Sequence, residues 1–470
     1  MPTTCPGACI DAGLLISEID FTPFRMRVTT DRYHAPEYQA RERERLWMRV
    51  WQVVGRADDL QEPGDWVEHR IFDQSYILVH GRDGVIRAFV NACRHRGNAI
   101  CEGKGHASRF TCPYHNWSYG LDGKLLAVAK PDFAGSVEDF VGAKDELGLI
   151  AVPAECFAGF IFINPARDGA PLADFLGEVA GLLAPYHLEE MVPIGLNVRE
   201  GLDCNWKVVM DAFQEGYHIQ AVHPELVTAM DESRERYGFF GDHSVATGPF
   251  GAANLSDFGP EQQALAIRGL PATFPGVAEV LPRFEALLEG YREADGVLFF
   301  PEGVTGRSLL QQATRATLSA KGLDVSGLTD TQMSDNHFHL VFPNLFMTIR
   351  AGEATVIIAT PHPDGNPNRC HWLVQNLMWV PAEERAAKRE PLREIPVGEH
   401  FPYFLALEQD WEMMQRQQRG LRNATLREMA LTRQEVRLAF FHSILDTWVG
   451  TDKIIQGDER ADHHGHRNYR

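Results

Sequence analysis

Two cysteines and two histidines lie between residues 93 and 115, in the order C-x-H followed by C-x2-H. Thiolates and imidazoles bind borderline and soft metals, so this stretch indicates either a zinc site or an iron–sulfur cluster. Zinc fingers usually pair Cys with Cys and His with His, whereas here each turn has one of each. In a Rieske [2Fe–2S] centre one iron takes both cysteines and the other both histidines, so two facing loops each supply one Cys and one His. The order therefore favours a Rieske cluster.

Neutral imidazole in place of thiolate removes negative charge from such a cluster. This raises the reduction potential to roughly −150 to +300 mV, against about −400 mV for plant-type ferredoxins. A cluster of this kind can accept an electron from a ferredoxin and pass it on. Cys101 and His106 lie between the two loops and are predicted not to be ligands.

A second group of metal-binding residue types lies in the segment DAFQEGYHIQAVHPE. Glu215 and His218 are three residues apart, on one face of a predicted helix, and His223 follows five residues later. A helix that ended or bent near Pro224 would let both imidazoles meet one metal. With a carboxylate from elsewhere, they would complete a 2-His-1-carboxylate site for non-haem Fe(II). Taken alone, the H-x4-H pair fits surface or core histidines as well.

The first half of the chain predicts the elements that position these residues. Short apolar stretches separated by Gly, Pro and Asp predict a small β domain over residues 45–165, with a hairpin in which GRDG joins QSYILVH to GVIRAFVNA. An amphipathic helix is predicted at 44–51. Another helix is predicted over 204–223, and Pro224 is expected to end it.

In the second half, residues 225–335 are predicted to form long loops with short helices. The strand-like runs at 337–363 and 370–380 predict an antiparallel sheet. Two strong helix candidates follow, at 406–421 and 432–449.

The composition restricts the possible function. Lys and Arg total 45 and Asp and Glu 64, a formal charge of −19, which argues against a nucleic-acid-binding protein because phosphate contacts need basic surface. We find no run of about 18 apolar residues and no basic stretch followed by an apolar run at the start, so neither a membrane span nor a signal peptide is predicted. The eight cysteines are spread over the chain, which suits a reducing compartment. We expect a cytoplasmic protein.

Together, these motifs resemble the catalytic α subunits of Rieske non-haem iron oxygenases, the family of aromatic ring-hydroxylating dioxygenases and their demethylating relatives. CRHRG and CPYHNWSYGLDGKL are similar to the two Rieske loops, NWK with DAFQEGYH to the iron helix, and EQDWEMMQRQQRGL to the helix that carries the third iron ligand. The resemblance implies an α+β fold with an N-terminal all-β Rieske [2Fe–2S] domain. It also implies a C-terminal catalytic domain whose antiparallel sheet is flanked by helices, of the helix-grip, START-like type. The predicted segments are an N-terminal extension (1–44), the Rieske domain (45–165), the catalytic domain (166–455) and a polar tail (456–470).

The resemblance also implies roles for individual residues of the cluster. Cys93 and Cys112 would bind one iron of the [2Fe–2S] cluster, and His95 and His115 the other. Asn116 stands where the family more often has glycine, which is expected to change only the local loop.

At the mononuclear site, the resemblance implies that His218, His223 and Asp410 bind Fe(II). Asp410 is preferred over the runner-up Glu408 because it fits the family's D-x7-Q-R-G-L arrangement. Glu215 takes the place of a carboxylate that links a histidine of this site to a Rieske histidine of the neighbouring subunit, which implies a homotrimer. Its physical role would be to accept from the ring N–H of His218 and fix that ring. Where relatives often have asparagine near the iron, this chain has Ala212, so help from that amide is absent.

The activity implied is hydroxylation with O2 and electrons from NAD(P)H. A separate ferredoxin or flavin reductase would deliver the electrons, since the chain contains no flavin or nicotinamide fingerprint. A small β subunit is left open. Phenylalanines between residues 225 and 335 are candidates for lining the pocket, which would favour an apolar cyclic substrate, such as an aromatic, polycyclic or steroid-like compound. These phenylalanines are Phe239, Phe240, Phe250, Phe258, Phe274, Phe284, Phe299 and Phe300.

Three alternatives stay open. The first is a Rieske monooxygenase or demethylase acting on a quaternary-ammonium, methoxylated or N-methylated small molecule. A choline-like or betaine-like substrate would need an aromatic cage and a carboxylate partner. The second is an electron-carrier or redox-sensing binding protein. The third is an interaction protein stabilised by zinc.

Overall fold

The computed structural model describes residues 13–129, 144–227, 232–249, 258–272, 274–396 and 398–450. The predicted polar tail at 456–470 lies outside the described residues. The boundaries predicted for the four segments stay predictions.

Strands and helices follow one another along the whole described chain. The strands are β1 Leu14–Leu15, β2 Arg27–Thr29, β3 Gln52–Arg56, β4 Asp65–Ile71, β5 Gln74–His80, β6 Ile86–Val90, β7 Lys104–His106, β8 Phe110–Thr111, β9 Ser118–Tyr119, β10 Leu125–Ala127, β11 Ala151–Val152, β12 Ala154–Phe157, β13 Phe160–Ile163, β14 Met191–Leu202, β15 Arg236–Phe240, β16 His243–Gly248, β17 Asn336–Val341, β18 Leu345–Arg350, β19 Glu353–Pro361, β20 Cys370–Trp379, β21 Arg393–Glu394 and β22 Glu428–Ala430. The α-helices are α1 Pro36–Glu42, α2 Leu172–Leu176, α3 Glu178–Leu183, α4 Trp206–Ala212, α5 Ile219–Val222, α6 Pro260–Gly269, α7 Leu281–Glu289, α8 Gly306–Lys321, α9 Ala382–Lys388, α10 Leu405–Leu421 and α11 Val436–Val449.

The described residues of 40–172 and 361–366 form one compact unit. It contains a five-stranded sheet in the order β11-β6-β5-β4-β7 and two three-stranded sheets, β10-β9-β8 and β12-β13-β3. The predicted hairpin is confirmed, because β5 and β6 pair antiparallel and the connecting turn contains Gly84 at φ +79°. The first Cys/His loop follows β6, and the second joins β8 to β9, so each loop begins at the end of a strand.

The helix predicted at 44–51 has different bounds in the structure. Helix α1 begins at Pro36, whose fixed φ suits the first helical position, and continues as a π-helical turn over Arg43–Trp47. There it ends, because the side-chain amide of Gln52 donates to the carbonyl of Trp47 (2.7 Å). The prediction was therefore wrong at both ends.

The described residues of 13–39, 173–360 and 367–450 form the second compact unit. Its nine-stranded sheet has the order β1-β15-β16-β17-β18-β19-β20-β14-β21. Pairing is antiparallel from β15 to β19 and between β20 and β14, which confirms the predicted antiparallel sheet. In the register, Phe338 is opposite Thr348, and Leu340 is opposite both Phe346 and Ser244. Since side chains alternate between the faces of a strand, these five residues share one face of the sheet.

The prediction for residues 225–335 was wrong in part. Strands β15 and β16 form a hairpin around Gly241 (φ +59°), and α8 is a regular helix of 16 residues. The Thr305 side chain caps α8 by accepting from the N–H of Ser308, and Gly322 ends it at φ +99°. The helices predicted at 406–421 and 432–449 are confirmed as α10 and α11. None of the helices in the described ranges is long and apolar enough to span a membrane.

Candidate metal centres and active site

The two Cys/His loops of the first unit have the same hydrogen-bond pattern. In each, the cysteine N–H donates to the carbonyl of the fifth residue after it, and the cysteine carbonyl accepts from the N–H of the fourth. The donor–acceptor pairs are Cys93 to Asn98 (2.9 Å) and Gly97 to Cys93 (2.8 Å) in the first loop, and Cys112 to Trp117 (2.8 Å) and Asn116 to Cys112 (3.0 Å) in the second. The two loops therefore form the same backbone turn, and each turn carries one cysteine and one histidine.

The fourth position after each cysteine has a left-handed backbone, with φ +76° at Gly97 and +58° at Asn116. Glycine has no steric cost there, and asparagine is among the few other residues that adopt this conformation readily. Asn116 therefore keeps the turn that glycine would form.

The cysteines of the two loops point inward and the histidines outward. Cys93 and Cys112 are buried in the core of the unit, and the Tyr119 hydroxyl lies 3.1 Å from the Sγ of Cys93. The rings of His95 and His115 have centroids 4.6 Å apart. Burial and the charges of His115 and Arg96 hold the pKa of His95 below its ordinary value, which favours the neutral imidazole that a metal needs.

Cys101 and His106 have partners of their own in the structure. Burial raises the pKa of the Cys101 thiol to about 12, with the charges of Glu68 and Glu102 adding to the shift, so its thiolate is disfavoured. The Nδ1 of His106 lies 2.9 Å from a carboxylate oxygen of Asp65.

In the second unit, His218, His223 and Asp410 come together with candidate ligand atoms all within 4.8 Å of one another. One carboxylate oxygen of Asp410 lies 3.0 Å from the Nε2 of His223 and 3.7 Å from the Nε2 of His218. Two imidazoles and one carboxylate are the donor set of a non-haem iron site. The structure thus brings the three sequence-predicted residues together.

Each of the two histidines is held through its other ring nitrogen. The Nδ1 of His218 lies 2.7 Å from Glu215 and the Nδ1 of His223 lies 2.7 Å from the side-chain oxygen of Gln409, so both donate from Nδ1 and leave Nε2 towards Asp410. Burial lowers the pKa of His223, but the hydrogen bonds to Asp410 and Gln409 and the charge of Asp410 outweigh it and raise that pKa above its usual value. Sequence reasoning missed Gln409, although its place directly before Asp410 was a usable signal.

The runner-up carboxylate, Glu408, faces a different set of groups. It lies 2.8 Å from the Nε2 of His400 and accepts from the backbone N–H of Tyr403 (3.1 Å). The other nitrogen of His400 lies 2.9 Å from Glu200, a buried carboxylate that also accepts from Tyr403 and Trp411. His400 therefore connects the start of α10 to β14, while Asp410 alone of the two carboxylates faces the histidines.

The helix predicted over 204–223 is interrupted at the site, and this prediction was wrong. Helix α4 ends at Ala212 and α5 begins only at Ile219. Between them, the side-chain amide of Gln214 donates to the carbonyl of Met210, and Glu215 accepts from the backbone N–H of His218. Side-chain bonds thus replace the helical ones, and Glu215 and His218 meet across a turn rather than on a helix face. The second segment ends at Val222, before Pro224, as predicted.

A buried polar group fixes the end of α4. Asp211 accepts from the Tyr33 hydroxyl (2.6 Å) and lies 3.1 Å from the Nε2 of His442. The Nδ1 of His442 accepts from Arg32 (3.1 Å), because a guanidinium can only donate. His442 therefore carries its proton on Nε2 and donates it towards Asp211.

A cavity opens beside the three candidate ligands. Its wall contains three phenylalanines, whose rings follow one another: Phe213 and Phe346 have centroids 5.8 Å apart, and Phe346 and Phe338 are 6.4 Å apart. Two buried charged residues, Glu235 and Arg437, also line it. Ala212, at the position where relatives often have asparagine, lines the same cavity with its methyl group.

The phenylalanines that were candidates for lining the pocket lie elsewhere. Of the described members of that set, none lines this cavity: Phe284, for example, lies in a separate core with Phe258, Phe274 and Phe300 against it, and Phe250 lies outside the described residues. The segment 225–335 still contributes to the wall through Leu226 and Glu235. The aromatic residues of the wall are Phe213, at the end of α4, and Phe338 and Phe346, in β17 and β18. Sheet register, rather than composition, decides that the last two face the cavity.

Known protein families match both parts of the chain. The description "Ring hydroxylating alpha subunit (catalytic domain)" fits residues 184–451, and "Rieske [2Fe-2S] domain" fits residues 50–138. Among curated relatives, the glycine betaine monooxygenase oxygenase subunit of Chromohalobacter salexigens is 36% identical over 205 residues, which is 43% of this chain and 44% of that protein. The carnitine monooxygenase oxygenase subunit of Acinetobacter pittii is 31% identical over 195 residues, 41% of this chain and 51% of that protein. The matches thus span about half the length of these relatives.

Solved structures share the fold. A quaternary ammonium Rieske monooxygenase has a TM-score of 0.61 at 16% identity and covers 91% of this chain and 96% of its own. A naphthalene 1,2-dioxygenase has a TM-score of 0.61 at 18% identity, covering 90% and 92%. At this identity the likeness concerns the fold alone, and it confirms the predicted α+β class with an N-terminal Rieske domain and a C-terminal catalytic domain.

Proposed function

Because the chain belongs to the family of ring-hydroxylating α subunits and carries a Rieske [2Fe–2S] domain, we propose that it is the oxygenase component of a Rieske monooxygenase that acts on a quaternary ammonium compound. The reaction takes one O2, two electrons and two protons, places one oxygen atom in a C–H bond of the substrate and releases the other as water. The electrons come from NAD(P)H through a ferredoxin or flavin reductase.

The Rieske cluster is assigned to Cys93, Cys112, His95 and His115. The donor set fits the group, because each loop offers one buried sulfur and one outward imidazole, and the two imidazole rings lie 4.6 Å apart. Outward histidines suit electron transfer, since they are the part of the cluster that a partner can approach.

The mononuclear iron is assigned to His218, His223 and Asp410, whose ligand atoms converge within 4.8 Å. Bound iron supplies the O2 chemistry and the cluster supplies the electrons. Glu215 and Gln409 accept from the Nδ1–H groups of the two histidines and hold the rings in orientation. The bridge from Glu215 to a Rieske histidine of a neighbouring subunit, and hence the homotrimer, stays a prediction, as does a small β subunit.

The substrate class rests on one observation, the buried carboxylate of Glu235 in a cavity whose wall contains Phe213, Phe338 and Phe346. Aromatic faces attract quaternary ammonium groups through the ring quadrupole, and a carboxylate adds charge attraction. The Tyr237 hydroxyl donates to Glu235 (2.8 Å) and fixes its orientation. The curated relatives named above as glycine betaine and carnitine monooxygenases support the same class.

A second candidate is hydroxylation of an apolar cyclic compound. It is favoured by the three phenyl rings together with Ile219 and Leu226, which make most of the wall apolar. In that case Glu235 would have no role towards the substrate, which distinguishes the two candidates.

The test is a reconstituted assay with NADH and a ferredoxin/flavin reductase pair, in which O2 uptake and product are measured for glycine betaine, γ-butyrobetaine, naphthalene and indole. We expect turnover of the ammonium compounds only, and a loss of about 10- to 100-fold in kcat/KM on Glu235→Gln, because a buried charge partner is removed. Glu302→Gln, on an exposed residue, is the matched control and should leave kcat/KM unchanged. Oxidation of naphthalene or indole with no turnover of ammonium compounds would overturn the proposal in favour of the second candidate.

Metal content is a separate check. Iron and acid-labile sulfide on anaerobically purified protein should reach about three irons and two sulfides per chain, with a low-g EPR signal after dithionite. Zinc without sulfide in colourless protein would instead support the interaction protein.

A further inference from the structure

Arg437 is a buried cation in the wall of the active-site cavity. It is the second residue of α11, and only 1% of its surface is exposed. Its guanidinium donates from Nε to the hydroxyl of Ser244 (3.2 Å), and from Nη2 to the carbonyls of Ser244 (3.4 Å) and Phe338 (3.3 Å). Burial lowers its pKa to about 10, although the charges of Glu235 and Tyr237 act in the opposite direction. The side chain is thus fixed against β16 and β17 by one part of its guanidinium.

The remaining part of the guanidinium has no protein acceptor among the described residues. A guanidinium has five N–H donors, and all three hydrogen bonds of Arg437 use Nε or Nη2. Within the described chain, no carboxylate lies at ion-pair distance from it. The charge of Glu235 stabilises the guanidinium, and the centroid of the Phe346 ring lies 5.8 Å from its Cζ. Neither group accepts a hydrogen bond from Nη1. A buried donor without an acceptor is costly, and a ligand that supplies an acceptor recovers that cost. The hydrogen bonds that fix Arg437 against β16 and β17 leave Nη1 available for such a ligand.

Glu235 and Arg437 give the cavity one negative and one positive charge besides the metal-site residues. Glu235 suits the ammonium group of the proposed substrate, and its charge also stabilises the guanidinium of Arg437, but it does not supply an acceptor for Nη1. A substrate tail without an acceptor would leave Nη1 desolvated and without a hydrogen bond in the complex, whereas a carboxylate would accept a charge-assisted hydrogen bond from it.

We infer that Arg437 is a specificity-determining residue that binds a carboxylate of the substrate through Nη1, so that the substrate is a zwitterion with an ammonium group and a carboxylate. This inference rests on the proposed function and narrows its substrate class. Choline-like alcohols, which lack the anion, are then poor substrates.

The test compares γ-butyrobetaine with its carboxamide, which differ in the charge of one end. We expect the wild type to prefer the carboxylate by about 10- to 100-fold in kcat/KM, as for a hydrogen-bonded buried charge. Arg437→Gln should abolish the preference mainly through a higher KM for the carboxylate, and Arg437→Lys should keep part of it. Arg283→Gln, on an exposed face of α7, is the matched control and should keep the full preference. The ratio of the two substrates is measured on one preparation, so a reduced folded fraction of a variant does not alter it.

The outcomes separate this inference from the proposed function. If the wild type oxidises both compounds equally, or if Arg437→Gln keeps the wild-type ratio, the role of Arg437 is overturned and the ammonium oxygenase stands. If Arg437→Gln does not fold, the wild-type ratio and that of Arg437→Lys decide: a preference for the carboxylate that falls in the lysine variant supports the inference, and an unchanged one overturns it. If neither compound is oxidised while naphthalene or indole is, the proposed function fails and the inference fails with it.

Discussion

The two candidate metal centres are built in opposite ways. At the cluster loops, all four candidate ligands lie between residues 93 and 115, and each loop is closed by backbone hydrogen bonds of its own. At the mononuclear site, His223 and Asp410 are 187 residues apart in sequence, and side chains rather than a local turn hold the ligands. The first centre is a property of a short sequence, and the second is a property of the fold.

The two centres also differ in their electrostatics. His95 has a pKa below its ordinary value because of burial and neighbouring positive groups. His223 has a raised pKa because its bonds to Asp410 and Gln409 outweigh burial. The acidic surroundings of the second centre attract a divalent cation. The surroundings of the first centre favour neutral imidazoles, which suits the charged cluster that the Rieske domain holds.

Asp410→Ala should separate the two centres most sharply. Loss of the only carboxylate in the predicted triad should reduce iron from about three to about two per chain and product formation to background, because a 2-His-1-carboxylate site loses its anionic ligand. The cluster should keep its visible and EPR spectra. Glu412→Ala, on an exposed residue of the same helix, should retain iron and activity. An electron-carrier protein would keep its function in Asp410→Ala, so full function in that variant would contradict the oxygenase.

Glu215→Gln tests whether the second centre depends on groups beyond its ligands. The amide is a weaker acceptor for the ring N–H of His218, so iron affinity or turnover should fall by about 10- to 100-fold. The measurements are an iron titration and single-turnover reoxidation of the reduced cluster. Glu225→Gln, on a nearby exposed residue, is the control, and equal behaviour of the two variants would argue against a role for Glu215.

His400→Gln tests how the helix carrying Asp410 is held. Burial opposes protonation of His400, but the hydrogen bonds to Glu200 and Glu408 outweigh it and raise its pKa above 6.5. Because the folded pKa exceeds the unfolded one, this stabilisation is full below pH 6.5 and disappears as the pH rises through the folded value. Because His400 is largely exposed and solvent screens its ion pairs, the variant should lose about 1 kcal/mol of unfolding free energy near pH 6 and clearly less near pH 9. Denaturant unfolding at both values measures it, and a pH-independent loss would show that protonation plays no part.

Asn116→Ala should have the smallest effect and concerns the first centre. Alanine at φ +58° should cost about 1 kcal/mol of stability, while Asn116→Gly should be close to neutral. Both variants should retain the cluster spectrum, since the side chain is not a ligand. Loss of the cluster in Asn116→Gly would contradict the view that only the turn matters here.

The first centre is encoded locally and the second by the fold, and this difference explains how much of each one the sequence predicts. Cys93, His95, Cys112 and His115 could be predicted because their spacing and their turn are encoded in adjacent residues. Asp410 was reached only through a resemblance, and the structure then placed it 3.0 Å from His223. The ligand roles themselves stay predictions until metal is measured.

The errors in the sequence analysis have physical reasons. The interruption at Ala212 was missed because Gln214 and Glu215 satisfy helical groups through side-chain bonds that periodicity does not show. Strands β15 and β16 were missed because glycine and proline in the neighbouring segments suggested loops. Phe338 and Phe346 were not among the expected pocket residues because their facing depends on which strands pair and in what register.

The long sequence separation at the second centre has a thermodynamic consequence. If His223 and Asp410 bind the ion as predicted, it would act as a cross-link that closes a loop of 187 residues. By the chain-entropy relation used for disulfides, such a closure would destabilise the unfolded chain by roughly 5 kcal/mol. Metal loading would then be coupled to folding of the second unit. Its melting temperature should then rise with free Fe(II) and fall with a chelator, so that loss of iron would reduce the amount of folded protein as well as the proposed activity.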